Sequence, residues 1–352
     1  MSDVELRNMT KHFPGVTALE DVSFSIKDGE FFVLLGPTGA GKTTTLRIIA
    51  GLEKQNKGSV LFDSQPVDKL SPADRDIAFV FQQYSLYPTM SVYDNLAFPL
   101  RSPLRRIPEP DIRKRVAEVA EVLRITALLT RKTAHLSGGE MQRVSIGRAI
   151  VRRPRVFLMD EPLSNLDAKL REALRVELKH LQKTQGSTTL FVTHDQIEAL
   201  TMADRIAVLK AGHIVQVGTP NDIYDRPATT FVAQLVGTPR INLFEVKRED
   251  GTLYIQGSDL HLPASSSNLP RSLLLGIRPE DVKPNSEGKF TGKLVLTEPL
   301  GVETILHIQS GKQILLSLVP GMAHVKVGDT VRFGIIPEKL HWFDLERNRI
   351  ES

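Results

Sequence analysis

No segment constrains this chain more than Gly36-Pro37-Thr38-Gly39-Ala40-Gly41-Lys42-Thr43, which fits the phosphate-wrapping pattern G-x-x-x-x-G-K-[ST]. Such a loop works only between a strand and a helix, and the flanks supply both. Phe31-Phe32-Val33-Leu34-Leu35 is a short unbroken apolar run, the pattern of a strand buried on both faces of a parallel sheet. Thr43-Thr44-Thr45-Leu46-Arg47-Ile48-Ile49-Ala50 reads as a helix stopped by Gly51. Glycines let the backbone wrap an anion, so successive N–H groups and the positive helix end point inward. A triphosphate is therefore expected on Gly36 through Thr44, with Lys42 on the β- and γ-phosphates and the Thr43 hydroxyl on Mg²⁺.

A magnesium-bound triphosphate needs an acidic partner at the end of a neighbouring strand. Val156-Phe157-Leu158-Met159-Asp160-Glu161 supplies it: four apolar residues for a central strand, then two carboxylates that are costly there without a cation. Asp160 is placed to hold Mg²⁺, and Glu161, pointing elsewhere, to polarise the attacking water. Ser137-Gly138-Gly139 opens a second helix, Met141 to Ile150, before Pro154. Two glycines there leave N–H groups bare for a phosphate, although an ordinary helix cap accounts for the same residues.

Leu136-Ser137-Gly138-Gly139-Glu140-Met141-Gln142-Arg143 resembles the L-S-G-G-Q signature of ABC-transporter ATPases. The rest of that family's ordered set follows. Gln82, after Ile77-Ala78-Phe79-Val80-Phe81, is similar to the Q-loop glutamine, Ser164-Asn165-Leu166-Asp167 to the D-loop, and His194, after Leu190-Phe191-Val192-Thr193, to the switch histidine. Phe13 stands where an aromatic ring stacks on adenine. The resemblance implies an α/β P-loop NTPase that hydrolyses ATP with Mg²⁺, Glu161 as general base, His194 on the γ-phosphate and Gln82 touching the metal. It also implies that the Ser137–Gly139 signature and Asp167 complete a site on a second ATPase chain, a like copy or a homologue. Two departures stand out. Glu140 replaces the usual glutamine, and Phe13 replaces tyrosine or tryptophan, so it stacks without a polar tip.

Composition narrows the class. The chain has 352 residues, enough for two domains, and no cysteine, so no disulfide framework. No apolar stretch approaches the ~20 residues that span a bilayer, and the polar start Met1-Ser2-Asp3-Val4-Glu5 lacks a secretory pattern. The net charge of +4, from 45 basic and 41 acidic residues, gives no reason to expect nucleic acid. The ATPase domain is expected over 1–235, with a helical subdomain at about 85–150. Within the subdomain Ile112, Val116, Val119 and Leu123 share a helical face, read as core. Arg101, Arg105, Arg106, Arg113, Lys114 and Arg115 form a basic cluster, read as a solvated face. The segment around Tyr84, Tyr87 and Tyr93 suits a groove for a short helix of another chain.

After Gly237-Thr238-Pro239 the texture changes to short strand-like runs split by Gly, Pro and Asp, from Leu273-Leu274-Leu275-Gly276-Ile277 to Thr330-Val331-Arg332-Phe333-Gly334-Ile335. A small all-β barrel or sandwich is expected over 236–352. Its motifs around Arg278-Pro279-Glu280-Asp281 and Pro337-Glu338-Lys339-Leu340-His341-Trp342-Phe343-Asp344 resemble the OB-like regulatory domain of carbohydrate-importer ATPases. The full resemblance implies a peripheral subunit on the cytoplasmic face of the cell membrane. It would work with transmembrane permease subunits and, through them, a substrate-binding protein. Carbohydrate or polyol is the expected cargo. Sulfate, iron or polyamine importers, and more remotely a non-transport ABC ATPase, are the alternatives.

Overall fold

The computed structural model describes residues 2–102, 107–263, 269–322 and 325–351. Arg105 and Arg106 of the basic cluster lie outside them. The chain forms two compact units, 1–220 and 221–352.

The first unit is built on a six-stranded sheet. Arg205–Lys210, Phe31–Leu35, Thr188–Thr193, Val156–Asp160 and Ile77–Val80 run parallel in that spatial order, with His213–Gly218 antiparallel at one edge. Phe31 through Leu35 are wholly buried, as the apolar run requires of a central strand. A second, antiparallel sheet of Val16–Ile26, Val4–Phe13, Lys57–Phe62 and Gln65–Pro66 shares one apolar core with the first, where Val4, Leu6 and Met9 pack with Phe32, Leu34 and Leu46. Between strands Ile77–Val80 and Val156–Asp160 lies the helical insertion, with helices Val92–Ala97, Glu109–Val122 and Gly138–Ile150. Ile112, Val116 and Leu123 are core there, but Val119 is only half-buried. Arg101 pairs with Asp94 (3.1 Å) and Glu109 (2.9 Å), so part of the basic cluster is neutralised locally.

The second unit pairs two five-stranded antiparallel sheets around one core containing Leu273, Leu275, Phe333 and Trp342, in line with the expected sandwich. It also contains strands Asn242–Glu249 and Thr252–Ile255, ahead of the strand-like runs that begin at Leu273. The turn between them, Asp250-Gly251, has positive φ at both residues (46° and 75°), a hairpin device that an Asp-Gly pair announces. This unit starts at residue 221, earlier than the expected boundary at 236. The reason is Arg278, 2% exposed, whose guanidinium donates to the carbonyls of Tyr224 (2.8 Å), Ala233 (3.1 Å) and Val236. Those bonds fasten the helices Pro220–Asp225 and Thr230–Leu235 to the β-rich part.

His341 in the same unit is 6% exposed, and burial first, then the charges of Arg278, Arg349 and Lys339, push its pKa down from 6.5 to about 4. Between those two values the unfolded chain holds a proton that the folded chain does not. Stability is therefore full above pH 6.5 and is lost as pH falls toward 4. Acidification from pH 7 to 4 should cost about 3 kcal/mol through this group. Denaturant unfolding at a series of pH values, followed by the fluorescence of the single tryptophan, Trp342, measures it. A His341→Gln variant with an unchanged pH slope would contradict the assignment.

Candidate active site

The phosphate loop starts where strand Phe31–Leu35 ends and runs into helix Lys42–Ile49. Gly41, at the helix N-cap, has φ 108°, the left-handed region, and there is neither a side-chain cap nor an acidic residue in the first turn. The positive helix end and its N–H groups are thus left for an anion. Glycine is required at two points. A Cβ on Gly36 would lie 2.3 Å from the Leu209 carbonyl oxygen, and one on Gly41 would lie 2.5 Å from that of Ala18. Gly36→Ala must therefore displace the loop, and nucleotide affinity should fall at least about tenfold. Titration with a fluorescent ATP analogue tests this, and wild-type affinity would refute it.

Three strand-end segments bring the reactive groups together. Lys42 is 5% exposed, and its ammonium donates to the carbonyls of Gly36 (2.9 Å) and Pro37 (3.0 Å). It also lies 3.4 Å from Glu161 Oε1. The other oxygen, Glu161 Oε2, is 3.0 Å from His194 Nδ1. Glu161 has φ 45°, a left-handed conformation that costs energy for a side-chain-bearing residue. The Thr43 hydroxyl donates to Asp160 Oδ1 at 3.1 Å. Asp160 is 4% exposed, and burial pushes its carboxyl pKa up against the opposing effect of that hydrogen bond. A buried carboxylate beside a hydroxyl suits a cation, because the charged form lacks any other compensation of that strength. Among the described residues no three acidic, histidine or cysteine side chains cluster as a metal cage.

Other expected residues stand apart from this cluster. Gln82 is exposed just past strand Ile77–Val80, beside Asp160's strand. Phe13 ends its strand 39% exposed, with the Lys11 ammonium 4.6 Å from its ring centre. The Ser137 side chain and Glu140 form a reciprocal capping box (Ser137 N to Glu140 Oε2, 2.8 Å; Glu140 N to Ser137 Oγ, 3.3 Å). Glu140 is thereby held below the usual carboxylate range, first by the Ser137 N–H and then by the Ser137 hydroxyl. Glutamate at this position is thus a structural part of the helix start. Gly138 packs under the Tyr84 hydroxyl and Gly139 against Leu166 and Leu170, while Asp167 caps helix Ala168–Gln185 through Leu170 N (3.0 Å). Among the described residues no hydrogen bond joins Ser137, Gly138 or Gly139 to the phosphate loop. Arg171, Thr193 and Glu198, which the motifs did not single out, surround the cluster from behind. Their local signal is Asp195 followed three residues on by Glu198, the N-cap and N3 positions of helix Gln196–Met202.

Of the three tyrosines near Gln82, one lines a groove. Tyr87 (40% exposed) and Phe98 (45%), their ring centres 4.7 Å apart and tilted by 50°, line a concavity of about 830 Å³ with Phe79, Phe81, Leu86 and Arg148. Tyr93 is tied inward by a hydrogen bond to Glu109 (3.0 Å), and Tyr84 covers Gly138.

Residues 19–164 match the family model described as ABC transporter, and 275–343 match the TOBE domain. The trehalose/maltose import ATP-binding protein MalK of Thermococcus litoralis is 46% identical over 98% of both chains. The sn-glycerol-3-phosphate import ATP-binding protein UgpC of Bordetella avium is 44% identical over 99% of both. Among solved structures, a dimeric bacterial ABC transporter cassette superposes with a TM-score of 0.57 at 34% identity, covering 62% of this chain and 98% of that one. A post-hydrolysis dimer of such a cassette, bound to ADP and Pi, gives 0.57 at 35% over the same shares. A phosphate loop facing a buried acidic strand end, within likeness that runs from end to end of this chain, means that it belongs to the ABC-transporter family as an ATP-hydrolysing importer subunit coupled to transmembrane transport.

Proposed function

We propose that this subunit powers uptake of a carbohydrate or polyol through membrane subunits encoded elsewhere. The end-to-end similarity to two importers named for such cargo supports the substrate class. The observation that carries the hydrolytic part is Glu161 held between Lys42 and His194. Lys42 and the N–H groups from Gly39 to Thr44 bind the phosphates, with Pro37 and Thr38 shaping the loop. Glu161 takes the proton of the attacking water, and His194, fixed by that same carboxylate, orients toward the γ-phosphate. Thr43 and Asp160 would hold magnesium, with Gln82 as a further oxygen donor, and the ion would supply positive charge against the phosphates.

The helix start at Gly138 and Gly139, capped by Ser137 and Glu140 and unbonded to its own phosphate loop, serves the ATP of a second ATPase chain, with Asp167 nearby in the chain. Phe13 stacks on adenine. The Tyr87–Phe98 groove receives a short helix of a membrane subunit, which sets the chain on the cytoplasmic face of the membrane. Among the described residues no helix is long and apolar enough to cross it.

The test is ATP turnover of the purified chain, alone and with its membrane subunits in lipid, as candidate loaded binding proteins are added in turn. Stimulation by one carrying a sugar or polyol is expected. Stimulation only by a sulfate-, iron- or polyamine-loaded protein would replace the cargo, and high activity indifferent to every partner would overturn transport.

A further inference from the structure

The loop leaving Glu161 and the turn carrying His194 meet at one side chain. Arg171, in helix Ala168–Gln185, donates to three carbonyls of that loop: Leu163 (3.3 Å), Ser164 (3.4 Å) and Leu166 (3.0 Å). Its remaining nitrogen, Nη1, lies 3.7 Å from Asp195 Oδ2. Asp195 adjoins His194 and spends its other oxygen capping helix Gln196–Met202 through Ile197 N (2.7 Å). On the loop side, Ser164 returns two bonds to the Glu161 carbonyl, from its N–H (3.3 Å) and its hydroxyl (2.9 Å). On the turn side, Thr193 donates to buried Glu198 (2.5 Å) and accepts from Asp195 N (2.9 Å). These groups enclose a polar cavity of about 30 Å³ directly behind the Glu161–His194 pair.

We propose that Arg171 is a positioning residue for hydrolysis, a bracket that sets the spacing of the Glu161 carboxylate and the His194 ring by gripping both segments at once. The inference rests on the roles given to Glu161 and His194 above. Glu161 needs such a bracket because its left-handed backbone persists only where surrounding bonds over-determine it. A planar fork suits the task, since one guanidinium reaches three carbonyls and a carboxylate in fixed directions that an ammonium cannot reproduce. The bonds of Arg171 go to loop carbonyls and Asp195 rather than to Lys42 or Thr43, so it should govern turnover without governing nucleotide binding.

The test uses the full chain, with steady-state ATP turnover, equilibrium nucleotide binding and a melting curve for each variant. Arg171→Met should lower kcat roughly ten- to hundredfold while KM stays within about twofold. Arg171→Lys should recover part of that loss. Asp195→Asn keeps a good N-cap and removes only the charge, so it should lower kcat in the same direction by less; it carries the test alone if Arg171→Met does not fold. In a Glu161→Gln background, Arg171→Met should lower single-turnover hydrolysis by much less than in the wild type, because one of the two groups whose spacing it sets is already gone. A lowered melting temperature with unchanged kcat, or losses that multiply in the double variant, would overturn the proposal. Normal turnover by Glu161→Gln alone would instead remove the base assignment, so the two failures are separable.

Discussion

Glu161→Gln is expected to reduce steady-state ATP turnover by about 10³-fold, within the 10²–10⁴ that a positioned general base contributes, while leaving ATP bound. The substitution is nearly isosteric. The amide can still face His194 Nδ1, at 3.0 Å in the present pair, but it cannot accept a proton from water. It also removes the negative charge 3.4 Å from Lys42, which frees that ammonium for phosphate. Binding should therefore persist or tighten, and two chains should stay closed over two nucleotides. Phosphate release and size-exclusion chromatography with ATP measure both consequences. Normal phosphate release would withdraw Glu161 from the base role.

Lys42→Ala should behave differently, losing binding as well as turnover. Its nitrogen is held by two loop carbonyls and by Glu161, and at 5% exposure it is shielded from competing water. Charge-assisted hydrogen bonds in such a setting contribute about 1.5–3 kcal/mol, so affinity for ATP should fall roughly tenfold to a hundredfold. The variant also leaves the Glu161 carboxylate facing the phosphates without a counter-charge, which adds repulsion to the lost attraction. Equilibrium binding separates the two substitutions: tight binding with little turnover for Glu161→Gln, weak binding for Lys42→Ala. Unimpaired ATP affinity in Lys42→Ala would mean that backbone N–H groups alone hold the phosphates.

The parts of the site legible in sequence are those whose chemistry depends on neighbours along the chain. A glycine loop must lie between a strand and a helix, so residues 31–50 announce themselves. An acidic pair after four apolar residues must end a buried strand, so Asp160 and Glu161 do too. The texture of segment 221–235 does not reveal its place in the second compact unit, because its attachment runs through Arg278, more than forty residues away. Tyr84, Tyr87 and Tyr93 look equivalent in sequence, yet a hydrogen bond to Glu109 and a contact with Gly138 withdraw two of them from the groove.

By itself, then, the sequence determined the phosphate loop, the order of the strand ends and the family, because local patterns and their succession carry that information. Only the tertiary structure decided that Lys42, Glu161 and His194 meet within 3.4 Å, that Thr43 faces Asp160, and that Arg171 spans the two segments behind them. Parallel strands far apart in the chain become neighbours through hydrogen bonding in the sheet. Which side chains then share one edge is set by register and burial, which no local pattern encodes.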